Sequence, residues 1–152
     1  MQAAAKQDFV GYMQDNVFQT LGMLDTMAQS PTAIIYDRSR LYSRDGGKLV
    51  HAPFVDNSYK LAGGGFLSTA KDVALFGNAM INSDFLSSKT LELLWTPQLV
   101  STGQMDQHGM GWWTINVPGM EGQQVVGHKG GSVGGNAMFY VVPDRNLVVS
   151  VA

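Results

Sequence analysis

The spacing of apolar residues changes from helical to extended near Gly109, and this change constrains the fold more than any other feature of the sequence. Before it, three segments repeat apolar residues every three to four positions, at 9–21, 69–81 and 89–95. After it come four runs rich in β-branched and aromatic residues, at 112–117, 124–128, 137–142 and 147–152. Short turn-forming segments separate these runs, the second of them at 130–135, which favours antiparallel neighbours. The sequence therefore predicts an α+β fold, with a helical part over about 1–108 and an antiparallel meander over about 109–152.

Each predicted helix carries signals for where it starts or stops. The first follows Asp8, a residue type that caps helix N-termini. The second begins at Thr69, and Asp72 three positions later completes a capping-box pattern. The third lies between two serines at 87–88 and Pro97.

The segment between the first two helices has shorter apolar stretches. Its clearest signal is Asp45-Gly46-Gly47, which is typical of a tight turn. That turn predicts a small hairpin between residues 34–36 and residues 49–50.

The composition excludes several classes of function. The 152 residues carry 10 Lys and Arg against 12 Asp and Glu, so a formal charge of −2 gives no electrostatic argument for binding nucleic acid or an anionic membrane. With no cysteine, disulfides, thiolate zinc sites and a Cys nucleophile are excluded. His51, His108 and His128 lie far apart and lack the i, i+4 spacing of a helical metal site, so no metal or cofactor is predicted.

Both ends of the sequence have the pattern of a fragment. Met1 leads into an amphipathic pattern without a signal peptide, and the last strand stops at Val151-Ala152 without a turn or polar tail. No apolar run approaches the ~20 residues that span a bilayer. We therefore expect a domain that is incomplete at both ends.

Three collinear groups of residues carry recognisable motifs. A glycine-rich loop runs into a capped helix over 55–72, with GGGFLSTAKD at its end, and the pattern continues through 76–80. Residues 12–26 run from the first predicted helix through Leu21-Gly22-Met23. Residues 127–131, GHKGG, follow GMGWW at 109–113. Together they resemble the β-lactamase-related serine hydrolases, a family that includes class C β-lactamases, penicillin-binding D-Ala-D-Ala peptidases and esterases, and within it the serine β-lactamase-like branch.

This resemblance implies a site built from three elements. They are a Ser-x-x-Lys that supplies nucleophile and base, a Tyr or Ser loop that moves the proton, and a strand ending in Lys-x-Gly or His-x-Gly. In the family the first two lie upstream of everything matched here, so no nucleophile is expected in this chain. The third element makes His128 and Gly130 the catalytic candidates, with a donor at His128 and backbone access at Gly130. Lys129, Gly131 and Gly63-Gly64-Gly65 are the substrate-proximal candidates.

For the complete parent protein, the resemblance implies acyl transfer from an amide, peptide or ester to a serine and then to water. The partners implied are a small-molecule or peptide substrate and the missing N-terminal half of the same domain, and a homo-oligomer is left open. The sequence carries no signal for a compartment, so the localisation stays open between periplasmic or secreted for a bacterial parent and mitochondrial for a eukaryotic one. The chain alone is expected to be inactive. The alternative is a non-catalytic interaction or assembly module derived from the same family.

Several of these residues also have structural interpretations. A lone histidine on a strand, such as His128, is most often structural. Residues 68–71 also spell Ser-x-x-Lys, but their place at a helix start favours capping by Ser68 and Thr69. The glycines at 63–65 lack the Gly-Lys-Ser/Thr of a phosphate loop, which argues against nucleotide binding. Two tryptophans at 112–113 alternate across a strand, so one is predicted to enter the core and the other to face out.

Overall fold

The computed structural model describes residues 1–82, 85–104 and 106–152. The helices are α1 Gln2–Ala5, α2 Phe9–Met13, α3 Ala70–Asn82 and α4 Ser88–Trp95, with a π-helical turn at Gln14–Phe18 and 3-10 turns at Ser58–Gly63 and Pro143–Arg145. The strands are β1 Met27–Ala28, β2 Tyr42–Asp45, β3 Lys48–His51, β4 Phe66–Leu67, β5 Trp113–Thr114, β6 Val126–Ser132, β7 Gly135–Val142 and β8 Leu147–Val151. No helix in these ranges is long and apolar enough to cross a membrane.

The strands of the described residues form three sheets. The pairs β1–β4 and β2–β3 are separate antiparallel ribbons, and the C-terminal strands form one sheet in the order β5-β6-β7-β8. This order, with antiparallel β5–β6 and β7–β8 pairs, confirms the predicted α+β fold with a C-terminal meander.

The residues divide into two compact units. One comprises 1–72 and 130–137 with Ala152, and the other comprises 73–129 and 138–151. Helix α3 and strands β6 and β7 each contribute residues to both units.

In the first unit, the predicted cap of α2 is confirmed. The Asp8 carboxylate accepts a hydrogen bond of 3.0 Å from the backbone N–H of Gly11. After Met13 the helix widens into the π-helical turn, which ends at the buried Phe18. The Phe18 ring packs edge-on against Phe66 of β4, with the ring centroids 5.2 Å apart, so the π-helical turn is held against the β1–β4 ribbon.

The predicted hairpin is present, but its first strand was assigned wrongly. Gly46 and Gly47 have φ of +52° and +83°, which the two central residues of a type I′ turn require. Such a turn pairs the residues on either side of it directly, so Asp45 lies opposite Lys48 and the first strand is β2. Residues 34–36, the predicted partner, lie in no strand, and Ile34 is 83% exposed.

The second unit has an aromatic core. Trp112 packs against three aromatic neighbours at centroid distances of 5.5–6.2 Å, namely Phe76, Trp95 and Phe139. Gly77 of α3 is buried beside this cluster, and an ideal Cβ there would lie 2.6 Å from the Phe139 ring. Helix α3 therefore packs closely on β7 because residue 77 has no side chain.

Helix α4 has the boundaries that its sequence predicts. The Ser87 hydroxyl accepts a hydrogen bond of 3.2 Å from the backbone N–H of Thr90 and caps the helix. The last residue, Trp95, is buried.

Strand β6 is longer than the sequence predicts. The sequence predicts a connecting turn over 130–135, but β6 continues through Ser132 and the turn is confined to Val133 and Gly134. Gly134 adopts φ +76°, and a Cβ there would lie 2.6 Å from Cβ of Ala52. Glycines weaken the strand signal in a sequence but do not prevent ladder hydrogen bonding, which explains the error.

Candidate active site on strand β6

The candidate motif lies where strand β6 passes from the interior to the surface. Val125, Val126 and Gly127 are buried, whereas every residue from His128 to Ser132 is exposed. Strand β5 fixes the buried end, because Trp113 pairs with Gly127 and Thr114 with Val126. The structure therefore presents His128, Lys129, Gly130 and Gly131 together on one exposed strand segment.

Gly127, immediately before the motif, is required by packing. An ideal Cβ at this position would overlap the backbone carbonyl oxygen of Phe139 and would lie 2.5 Å from the Tyr140 ring. A backbone atom cannot move aside as a flexible side chain can, so only glycine fits here. Gly127 belongs to the motif at 127–131, but no local pattern indicates that packing requires glycine there.

Gly130 has the opposite environment. An ideal Cβ there would meet no atom within 4 Å, and one at Gly131 would meet only Oδ1 of Asn136, at 3.6 Å. Neither glycine is needed for packing, and both leave the strand backbone open to an approaching group. This openness agrees with the substrate access that the resemblance implies, and the role itself stays a prediction.

The two basic side chains of the motif contact the indole of Trp113. The His128 ring centroid lies 5.1 Å from that of Trp113 at an interplanar angle of 39°, and Nζ of Lys129 lies 5.1 Å from the centroid of the same ring. A third basic residue, His108, contacts the indole edge-on at 5.1 Å. Its Nδ1 is 2.7 Å from Oδ1 of Asp106, and this hydrogen bond holds the pKa of the Asp106 carboxyl below its ordinary value.

Two of the three glycines at 63–65 have structural reasons of their own. Gly64 ends the 3-10 turn with φ +132°, and Gly65 is buried where a Cβ would lie 2.7 Å from the carbonyl oxygen of Asn57. Gly63 has neither constraint. Within the described part of the first unit, no hydrogen bond joins this loop to Gly130 or Gly131. Its predicted proximity to substrate therefore stays a prediction.

Ser68 forms a structural hydrogen bond. Its Oγ lies 2.7 Å from Oγ1 of Thr26, and Thr26 in turn donates to Oδ2 of Asp72 at 2.8 Å. In the ranges that the structure describes, no hydrogen bond joins Ser68 to Lys71. Residues 68–71 thus match the Ser-x-x-Lys pattern but lack the hydrogen bond between serine and lysine that a nucleophile and its base need.

Thr69, and not Ser68, caps helix α3. The Thr69 Oγ1 accepts a hydrogen bond of 3.1 Å from the backbone N–H of Asp72. In a capping box, the Asp72 carboxylate would accept a hydrogen bond from the backbone N–H of Thr69. Here it accepts instead from the Thr26 hydroxyl and from the backbone N–H of Asp25, which are distant in sequence. Asp72 is only 1% exposed, and these two hydrogen bonds replace the water that its buried carboxyl group has lost.

Replacing Thr69 with alanine should lower the free energy of unfolding by about 0.5–2 kcal/mol, the usual effect of removing an N-cap. Denaturant unfolding of the complete protein measures it. Ser68→Ala is the matched control, and it should leave any hydrolytic activity in place. Loss of activity in Ser68→Ala with unchanged stability would contradict the structural role of Ser68.

No group of three His, Asp or Glu residues that could hold a metal ion occurs within 1–82, 85–104 and 106–152.

Solved structures share this fold over almost the whole chain. The octameric penicillin-binding protein homologue from Pyrococcus abyssi superposes with a TM-score of 0.80 at 22% identity, over 98% of this chain and 34% of that one. A D-stereospecific amidohydrolase from Streptomyces sp. superposes with a TM-score of 0.79 at 18% identity, over 98% of this chain and 44% of that one. The fold is therefore that of the penicillin-binding-protein and β-lactamase class.

The sequence identifies the family. The family model described as Beta-lactamase matches residues 1–152. The human mitochondrial serine beta-lactamase-like protein LACTB is 35% identical over 161 residues, which cover 90% of this chain and 29% of that protein. The mouse protein of the same name is 34% identical over 169 residues, which cover 95% of this chain and 30% of that protein. The chain belongs to the beta-lactamase family, and it spans about 30% of the length of these relatives.

Proposed function

We propose that residues 1–152 form the C-terminal portion of a serine hydrolase domain that transfers an acyl group from an amide, peptide or ester to a serine and then to water. The observation that carries this proposal is the exposed end of β6, where His128 and the open backbone at Gly130 lie two residues apart. Residues i and i+2 of a strand face the same side, so one group of a substrate can meet both.

Each residue has a definite part in the proposed chemistry. The serine oxygen attacks the substrate carbonyl carbon, and negative charge develops on the carbonyl oxygen as the tetrahedral intermediate forms. His128 stabilises that charge or protonates the leaving group, while Gly130 lets the substrate lie against the strand. Lys129 and Gly131, which alternate with these two residues along the strand, are proposed to lie near the substrate as well. The leaving amine or alcohol departs with a proton, and water then releases the acid from the serine.

The nucleophile in this proposal comes from an N-terminal half of the same domain. The coding sequence upstream of residue 1 tests this directly, since it should contain a Ser-x-x-Lys and a Tyr-x-Asn or Tyr-x-Ser. If neither motif is present in the complete protein, the alternative of a non-catalytic interaction module replaces the hydrolase.

Strand β8 supports the proposal of a missing half. It is the last strand in the order of its sheet, so one row of its backbone groups has no strand partner among the described residues. Three of its apolar side chains are 41–51% exposed: Leu147, Val149 and Val151. A strand from the N-terminal half would cover this edge.

A homo-oligomer stays a prediction for the complete protein. The P. abyssi neighbour is described as octameric. Sedimentation equilibrium of the complete protein tests whether this family member assembles as well.

The 152-residue chain alone should form no covalent adduct with a penicillin or a p-nitrophenyl ester. The reason is that Ser68, which has only the Ser-x-x-Lys spacing in common with a nucleophile, is hydrogen-bonded to Thr26, and no hydrogen bond joins it to Lys71 among the described residues. Intact-mass spectrometry after incubation measures the adduct, with the complete protein as the matched positive control. A stoichiometric adduct on Ser68 of the isolated chain would overturn both the proposal and the structural role of Ser68.

A further inference from the structure

The contacts of Trp113 differ from those of its neighbour in sequence. Trp112 is buried in the cluster with Phe76 and Phe139, whereas Trp113 is only half-buried and meets His128, Lys129 and His108. Trp112 immediately precedes β5 and Trp113 is its first residue, so the two indoles point to opposite sides, one to the core and the other to the candidate motif. The core therefore does not account for the large side chain at position 113.

The indole is itself held firmly beside the motif. Trp113 pairs with Gly127 of β6. Because Gly127 has no side chain, its backbone packs directly against the Phe139 carbonyl group. On its other side, Trp113 forms an isolated backbone bridge to His108, whose ring also contacts the indole edge-on. The indole is thus placed by backbone pairing on both sides, and a substitution of the His108 side chain would leave that pairing in place.

His128 and Lys129 have little else to orient them. Over the ranges that the structure describes, neither side chain makes a hydrogen bond or an ion pair, and both are exposed. The face of an aromatic ring carries partial negative charge and attracts an ammonium group, and the ring also packs favourably against an imidazole ring. Contact with Trp113 is therefore what restricts the positions of the two side chains.

We propose that Trp113 is a positioning residue of the active site, one that acts by holding the His128 imidazole and the Lys129 ammonium on the exposed end of β6. This inference rests on the proposed function of His128. A donor must lie within a fraction of an ångström of its productive position, because a displacement of about 1 Å can cost roughly 10² in rate. The Trp113 indole, packed beside the exposed His128 ring, supplies that restraint.

The test is a double-mutant cycle in the complete protein, with a p-nitrophenyl ester as substrate. Trp113→Leu should lower kcat by about 10²-fold with little change in KM, whereas Trp113→Phe should retain most of the activity because it keeps an aromatic face. Adding Trp113→Leu to His128→Ala should cause little further loss, since the two residues would act as one unit.

A spectroscopic measurement separates positioning from general stability. The imidazole Hε1 and Hδ2 resonances of His128 should carry a ring-current shift that Trp113→Leu abolishes and Trp113→Phe largely preserves. If Trp113→Leu is as active as wild type, or if the two substitutions are additive, the positioning role is wrong while a catalytic His128 still holds. If His128→Ala is itself fully active, the proposed function fails, whatever the spectrum shows.

Discussion

Replacing His128 with alanine in the complete protein should slow acylation by about 10²–10³-fold, the usual effect of removing one well-placed donor to a developing oxyanion. The melting temperature should hardly change, because His128 is exposed and its described contact is with the half-buried Trp113. Burst kinetics with a p-nitrophenyl ester measure the acylation step separately from hydrolysis of the acyl-enzyme.

Two other histidines serve as controls for this result. The His51 ring stacks on the Tyr42 ring of the β2–β3 hairpin, with the centroids 4.8 Å apart, and His108 is hydrogen-bonded to Asp106. His51→Ala and His108→Ala should both leave the acylation rate close to that of wild type. Full activity in His128→Ala would remove the only side chain of this chain to which a catalytic role is assigned.

A second large effect is expected at Gly127. Gly127→Ala should lower the free energy of unfolding by about 3 kcal/mol or more, the upper end of the range for overpacked sites. The methyl group would overlap the Phe139 carbonyl oxygen, and neither strand can shift without breaking the β5–β6 or β7–β8 pairing. Denaturant unfolding of the complete protein, at unchanged m-value, measures the loss.

Gly130→Ala is the matched comparison, three residues along the same strand. Its methyl group meets nothing within 4 Å, so the stability should change by less than about 1 kcal/mol. The same methyl group would stand in the proposed path of the substrate, and the acylation rate should fall by at least about tenfold through displacement of the substrate. Equal loss of stability in the two variants would show that the open space at Gly130 is filled in solution.

Features set by neighbouring residues were predictable from the sequence. The caps at Asp8 and Ser87 and the turn at Gly46-Gly47 depend only on chemistry within a few residues, and the structure has all three. The strand that precedes that turn was assigned wrongly because the apolar residues at 34–36 outweighed the geometry of a two-residue turn.

Features that depend on distant residues were not predictable. The sequence gives no sign that Asp72 bonds to Thr26, which lies 46 positions earlier, so its carboxylate was assigned to its own helix start. Likewise, the motif at 128–131 can be found by its pattern, but the need for glycine at 127 depends on the Phe139 backbone of another strand. Contacts of this kind become visible only once the strands are paired.

The buried carboxylate of Asp72 also has a consequence for how this chain can vary and fold. A single oxygen, Oδ2, accepts both the Asp25 amide and the Thr26 hydroxyl, and Thr26 further contacts Ser68. An apolar residue at 72 would leave buried donors without acceptors, so covariation of positions 26 and 72 is expected among homologues. The Asp25 amide should accordingly exchange with solvent only when the start of α3 opens, which makes its exchange rate a single-site reporter of that event.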